Sequence, residues 1–189
     1  KSEPKYKMSF TTGGLFYHES VISAGLYAKF KNWPDVKHEI LKSNLFQART
    51  VSTLKKINNE VISRLKFLSS EQINIINKGT TQEQNHILWV AVCKRYDFIR
   101  DFAVEIIREK FLNMDYSLEY QDYTIFFNAK SQWHEELENL KESTRKKLKQ
   151  VLFKIMGEAE IISSKNMINP AILSKQTARA VLNDKSGIY

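Results

Sequence analysis

One cysteine, three prolines and six glycines are all that these 189 residues hold of the types that staple or break a chain. The lone thiol, Cys93, cannot close an internal disulfide. It lies in an apolar helical pattern and is expected to be a buried, reduced, structural residue of a cytoplasmic protein. So few glycines and prolines argue against a loop-rich or all-β fold. Long apolar runs are lacking as well: the longest, Ile87–Cys93 (ILWVAVC), falls far short of the ~20 residues that span a bilayer. No charged-then-apolar leader pattern opens the sequence.

What is present is the composition of an ordinary globular chain, 42% apolar and 26% charged. The length allows one domain or two small ones, each able to bury a core. The net charge of +8 is unevenly spread. Residues 1–70 hold 12 Lys and Arg against 5 Asp and Glu, residues 71–142 hold 8 against 13, and residues 143–189 hold 9 against 3. Two basic segments flank an acidic middle. That suits a polyanionic partner, and it equally suits basic and acidic parts that meet each other.

The dominant period is helical, and the expected fold class is all-α, a compact multi-helix protein. In ESVISAGLYAKF, Ile22, Leu26 and Phe30 recur every four residues. Asn32-Trp33-Pro34 interrupts that helix and starts another, PDVKHEILKSN. Within NLFQARTVSTLKKINNEVISRLKFL, the residues Leu54, Ile57, Val61, Leu65 and Leu68 form a narrow core-facing stripe. Ser69 or Ser70 caps EQINIINK, which Gly79 ends. From Thr80 or Thr81 a long periodic region predicts two helices, with Arg95-Tyr96-Asp97 as the break. Leu88, Trp89, Val92, Phe98, Phe102 and Ile106 are its core candidates. A change of texture at Asn113–Asp115 divides the chain into an N-terminal helical domain, 1–113, and a C-terminal one, 114–189. Ile161-Ile162 and Met167-Ile168, separated by SSKN, have the pattern of a tiny β-hairpin that would follow a helix as in a winged helix. Ser174 is placed to cap a last short helix.

The residues offer little for catalysis, and no enzyme activity, cofactor or metal site is expected. His18, His38, His86 and His134 are scattered without a second ligand at helical or loop spacing. Gly13-Gly14 has neither a preceding strand nor a following Lys-Ser/Thr, so it is not a phosphate loop. Asp97 and Asp101, interleaved with Arg95 and Arg100, predict a surface ion-pair array.

Nucleic-acid binding has more to draw on. At about 100° per residue, Ser52, Lys56, Asn59, Ser63 and Lys66 fall opposite the Leu54–Leu68 stripe. Arg49, Thr50, Ser52, Lys55 and Lys56 crowd the start of that helix, where N–H groups and a positive partial charge can meet a phosphate oxygen. The competing reading is a cap with solvated lysines. A second cluster, STRKKLKQVLFK, buries Leu148, Leu152, Ile155 and Ala159 and turns Lys146, Lys147, Gln150 and Lys154 outward. Arg145 leans toward the apolar side, where Glu138 or Glu142 can pair with it. Together with Lys149, these cations suit backbone tracking along a duplex. The acidic stretch EELENLKE can instead neutralise them. The aromatics between Tyr116 and Trp133 read as core, with single-strand stacking as the lesser reading.

The order SFTTGGLFYHES, Asn32-Trp33-Pro34-Asp35-Val36, then NLFQARTVSTLKK with NNEVISRL resembles the BrxA family of BREX phage-exclusion systems. CKRYDFIRDFAVEIIREKF, DYTIFFNAK and STRKKLKQVLFKIM continue the resemblance, which runs from about Ser9 to Pro170. It implies a small, cytoplasmic, all-helical protein that acts beside other BREX components and is NusB-like in fold. It further implies double-stranded DNA binding without known catalysis. The family has also carried an inner-membrane description, which the lack of a spanning segment contradicts. It supplies no assigned contact residues, so the DNA-binding candidates rest on charge and helix geometry: Arg49, Thr50, Ser52, Lys55 and Lys56, with Arg145, Lys146, Lys147, Lys149 and Lys154. The expected function is phosphate contact of low sequence specificity. The alternative is an adaptor whose basic faces dock an acidic BREX partner. A homo-oligomer is neither predicted nor excluded.

Overall fold

The computed structural model describes residues 4–184. Its helices are α1 (Tyr17–Phe30), α2 (Trp33–Ser43), α3 (Val51–Leu65), α4 (Ser70–Lys78), α5 (Thr81–Arg95) and α6 (Asp97–Phe102). A π-helical stretch, Ala103–Arg108, leads directly into α7 (Glu109–Leu112). Then come α8 (Tyr120–Ser131), α9 (Glu135–Glu138), α10 (Glu142–Glu158) and α11 (Lys175–Leu182). The fold is all-α, as the periodicity predicts. No helix among the described residues is long and apolar enough to cross a membrane.

The residues form two compact units. One combines Phe16–Arg95 with the described residues from Ile172 onward; the other combines those up to Leu15 with Tyr96–Ala171. In the first unit, α1 packs against α2, α3 and α4. It does so through small residues: Ser20, Ser23 and Ala24 are buried, whereas Ile22 and Leu26 are half-buried and Phe30 is exposed. Close helix approach therefore overrides the larger apolar spacing. Val36, Ile40, Leu54 and Ile62 form a core under Leu26, Tyr27 and Trp33, with the Tyr27 and Trp33 rings stacked 4.3 Å apart. Asn58, fully buried on the α3 stripe, donates to the Lys37 carbonyl at 3.1 Å and ties α3 to α2.

α4 begins with a capping box: Ser69 Oγ accepts from the Gln72 N–H at 3.2 Å, and Gln72 Oε1 accepts from the Ser69 N–H at 3.0 Å. Gln72 Nε2 then donates to the Ala180 carbonyl (3.1 Å) and to Asp184 Oδ2 (3.0 Å). The buried ammonium of Lys94 donates to Gln72 Oε1 at 3.2 Å and to the Phe67 carbonyl at 3.0 Å, and it pairs with Asp184. This polar node fastens α11 to α4 and α5. Ser174 caps α11, accepting from the Thr177 N–H at 3.2 Å.

In the second unit, α6 starts after the break at Tyr96, whose backbone is extended. Arg100 pairs with Asp97 at 2.7 Å and with Asp101 at 3.1 Å, the ion-pair array that the interleaved charges predict. Phe98 is fully buried among the rings of Tyr6, Tyr123, Phe126 and Phe127, with centroids 5.2–6.0 Å away. The expected core residue Ile106 is half-buried and Ile107 is buried instead. A π turn closes over five residues, so the face occupied by Phe98 and Phe102 continues at 107 and not at 106. Gly13 has φ 82°, and a Cβ at Gly14 would collide with the Glu158 carboxylate, which accepts from the Leu15 N–H at 2.6 Å. Those glycines thus serve chain packing.

The Ile161–Ile168 segment carries one antiparallel bridge, Ile162 to Ile168, and a second joins Ser117 to Met167. Neither extends to a strand, because Ser163 Oγ accepts the N–H groups of Lys165 and Met167 at 3.3 and 3.2 Å and curls the turn. Lys94→Met leaves Asp184 without its ammonium and should lower unfolding free energy by about 3 kcal/mol. The double variant Lys94→Met/Asp184→Leu should lose less than the single one. Denaturant titration of both proteins checks this.

Candidate nucleic-acid interface

The two groups of cationic candidates fall in different units. Arg49, Thr50, Ser52, Lys55 and Lys56 belong to the unit of Phe16–Arg95, and Arg145, Lys146, Lys147, Lys149 and Lys154 to that of Tyr96–Ala171.

The first group is set by a tight loop. Asn44, in the left-handed region at φ 44°, accepts from the Ala48 N–H at 3.0 Å and donates to the Ala48 carbonyl at 3.1 Å. That closure delivers Arg49 and Thr50 to the start of α3. Thr50 is the N-cap: its Oγ1 accepts from the Thr53 N–H at 3.1 Å and donates to Thr53 Oγ1 at 2.9 Å. Arg49, Ser52, Lys55 and Lys56 are exposed. Neither Arg49, Lys55 nor Lys56 forms an ion pair among the described residues. Ser52, Lys56, Asn59 and Lys66 are exposed opposite the core stripe, as the helical spacing predicts. Ser63 is half-buried and accepts from Arg95 Nε at 3.2 Å.

The second group is less uniform. α10 begins at Glu142 after Lys141, whose backbone is extended. Lys146 pairs with Glu142 at 2.8 Å, and Lys154 lies 3.7 Å from Glu158. The Lys146 hydrogen bond holds the Glu142 carboxyl below its ordinary pKa and raises that of Lys146 in turn. Lys147 is exposed and forms no ion pair among the described residues. Lys149 is half-buried, its ammonium 5.6 Å from the Tyr120 ring centroid.

Arg145 is engaged internally. Its Nε donates to the Leu140 carbonyl at 3.0 Å, and Nη2 donates to the carbonyls of Glu138 (2.5 Å) and Leu137 (3.3 Å). The guanidinium also lies 5.2 Å from the Phe127 ring centroid. It reaches the Glu138 backbone where sequence reasoning expects a carboxylate partner. Arg145 therefore satisfies the carbonyls that α9 leaves at its end and fixes the corner into α10.

Beside that corner lies a pocket of about 190 Å³ between α8 and α10. α8 lines it with Tyr123, Thr124, Phe127 and Asn128; Arg145, Lys146 and Lys149 are among the α10 residues opposite. Sequence reasoning missed the α8 wall. Its signal was present in two i, i+4 pairs, Tyr123 with Phe127 and Thr124 with Asn128. Of the aromatics between 116 and 133, Tyr123, Phe126 and Phe127 are core, while Tyr116, Tyr120 and Trp133 are exposed.

The BrxA family model matches residues 4–185. The chain belongs to the BrxA family. Two curated relatives share the family name: "BREX protein BrxA" of Bacillus cereus (strain H3081.97) is 32% identical over 83% of this chain and 78% of its own length. "BREX protein BrxA" of Escherichia coli O9:H4 (strain HS) is 23% identical over 80% of this chain and 71% of its own. A crystal structure of an uncharacterized protein from Magnetospirillum magneticum has the same fold, with a TM-score of 0.81 at 20% identity over 98% of this chain and 96% of that one. Within this chain, Arg145→Ala should cost about 2–3 kcal/mol of stability, because several backbone carbonyls lose a charged donor. Arg145→Lys should recover only part, since an ammonium lacks the planar fork. Equilibrium denaturation of the two variants tests both statements.

Proposed function

We propose that this chain is a non-enzymatic component of a BREX phage-defence system that binds double-stranded DNA in the cytoplasm, mainly through phosphates. The observation that carries this reading is the start of α3. There Arg49, Lys55 and Lys56 stand exposed around a Thr50-capped helix N-terminus, without ion pairs among the described residues. Helix N-termini and exposed cations together favour phosphate oxygens over any base edge, which predicts low sequence specificity. Lys146, Lys147 and Lys154 on α10 give the other unit exposed cations of its own. Arg145 is assigned to the α9–α10 corner and carries little of the DNA contact.

A second reading rests on the carboxylates beside α10. Glu142 and Glu158 offset Lys146 and Lys154, so that helix presents less net charge than its sequence suggests. That favours an adaptor that docks other BREX components through mixed charges, with no nucleic acid involved.

Gel-shift titration of a short duplex at about 50 and 200 mM salt separates them. DNA binding predicts an affinity that falls steeply, by ~0.9 log units per log unit of salt for each phosphate contacted. Arg49→Ala/Lys55→Gln/Lys56→Gln should flatten that slope by about two to three. No duplex binding at low salt would sink the reading, and a BREX partner retained after nuclease treatment would then support the adaptor.

A further inference from the structure

We propose that the unit of Tyr96–Ala171 engages a duplex as a winged helix, with α10 seated in the major groove and the turn after it reaching the adjacent backbone. The inference rests on the duplex-binding reading and assigns its groove contact to elements outside the start of α3.

The order and pairing of the elements carry the first half of the argument. The helical stretch from α6 to α7 leads to residues 116–118, then α8, the one-turn α9, α10, and two short segments, 161–163 and 166–169. The Leu118 N–H donates to the Asn166 carbonyl at 2.9 Å, and the Ile168 N–H to the Tyr116 carbonyl at 2.7 Å. The Ser163 N–H donates to the Met167 carbonyl at 2.8 Å, and the Asn169 N–H to the Ile161 carbonyl at 2.9 Å. Segment 166–169 therefore lies between the other two, with an antiparallel bridge to each. That sequence of helix, segment, helices and hairpin, paired in that order, is the topology of a winged helix. In such helix-turn-helix modules the last helix is the one that enters the major groove. The turn is held firmly: Asn166 is left-handed at φ 56°, and the Asn169 amide donates to the Glu160 carbonyl at 2.8 Å. Lys165 stands exposed at its tip.

The outer face of α10 carries the second half. Ser143, Lys147, Gln150, Lys154 and Gly157 recur at steps of three and four, and all are exposed. Opposite them, Leu148, Leu152, Ile155 and Met156 are buried. The exposed stripe is about 21 Å long at ~1.5 Å per residue, and it contains no carboxylate and no apolar side chain. Serine and glycine at its ends allow the backbone to come close, and a Cβ at Gly157 would meet nothing within 4 Å. Gln150 at the centre carries an amide that matches the edge of adenine, with a lysine one turn away on either side for guanine or phosphate. Lys147 and Lys165 form no ion pair among the described residues. Lys154 lies 3.7 Å from Glu158, an exposed pair that yields readily to a phosphate, and that carboxylate also accepts from the Leu15 N–H.

The test is an anisotropy titration of the full chain with a mixed-sequence duplex, and with the same duplex carrying glucosylated 5-hydroxymethylcytosine. The sugar fills the major groove and leaves the phosphates unchanged. Wild type should bind the modified duplex at least about tenfold more weakly. Lys147→Gln/Lys154→Gln should flatten the salt slope by about two, and Lys165→Gln by about one. Neither change should move the melting temperature, because all three side chains are exposed. Gln150→Ala should keep the slope, since it removes no charge, and should weaken an A·T-rich duplex more than a G·C-rich one. Equal affinity for the plain and glucosylated duplexes, or slopes unchanged in the lysine variants, overturns the proposal and leaves duplex binding through α3 standing. No binding to any duplex at low salt overturns both.

Discussion

Lys94 is 8% exposed, and removing its charge from water costs several kcal/mol unless acceptors are matched around it. Three acceptors meet that demand: the Phe67 carbonyl just beyond α3, the Gln72 amide oxygen in the first turn of α4, and the Asp184 carboxylate after α11. A single cation on α5 thereby sets where three other stretches of the chain must lie. Gln72 spreads the constraint further, since the same amide closes the α4 capping box and holds the Ala180 carbonyl. Apolar residues such as Ile75 and Ile87 supply the bulk of the burial in this unit. The polar node supplies its register, because hydrogen bonds have direction and hydrophobic contact does not.

Arg145 has the corresponding role in the other unit. By collecting the carbonyls of Leu137, Glu138 and Leu140 it turns α9 into α10 and sets the direction of the basic face that follows. One cation is spent on architecture so that Lys146, Lys147 and Lys149 are presented in order. The aromatic cluster around Phe98 supports the same arrangement from below, through Tyr123 and Phe127 on α8. Charge and core are therefore coupled at α8 and α10, where the ring of Phe127 meets the guanidinium of Arg145.

The helices were legible because their signals are local. Ser69, one of the two serines expected to cap α4, does so, Ser174 caps α11, and the break expected at Arg95-Tyr96-Asp97 fell at Tyr96. Core positions were read well wherever the helix stayed regular, as at Leu54, Val61 and Leu65. They slipped where geometry departed from 3.6 residues per turn, which is why Ile107 replaced Ile106. Long-range polar partners were not legible at all. Gln72, Lys94 and Asn58 resemble surface residues in sequence, and only the fold brings Asp184 or the Lys37 carbonyl to them. Of the candidate interface, exposure at Ser52, Lys56 and Lys147 followed from helical phase. The engagement of Arg145 did not, because its partners are backbone carbonyls that carry no residue signature.

The interleaving of the two units has a consequence for how the protein is made. A ribosome delivers the chain from its N-terminus, and domains generally mature in that order. Here Gln72 and Lys94 emerge before the whole of Tyr96–Ala171, yet their partners Ala180 and Asp184 emerge after it. The unit that holds α1 to α5 is therefore completed only when α11 emerges, and until then Lys94 has the Phe67 carbonyl and Gln72 within reach but not the Asp184 carboxylate. An early stop codon near α11 would remove a keystone from helices translated a hundred codons earlier, and a chaperone that shields that gap would act on the nascent chain.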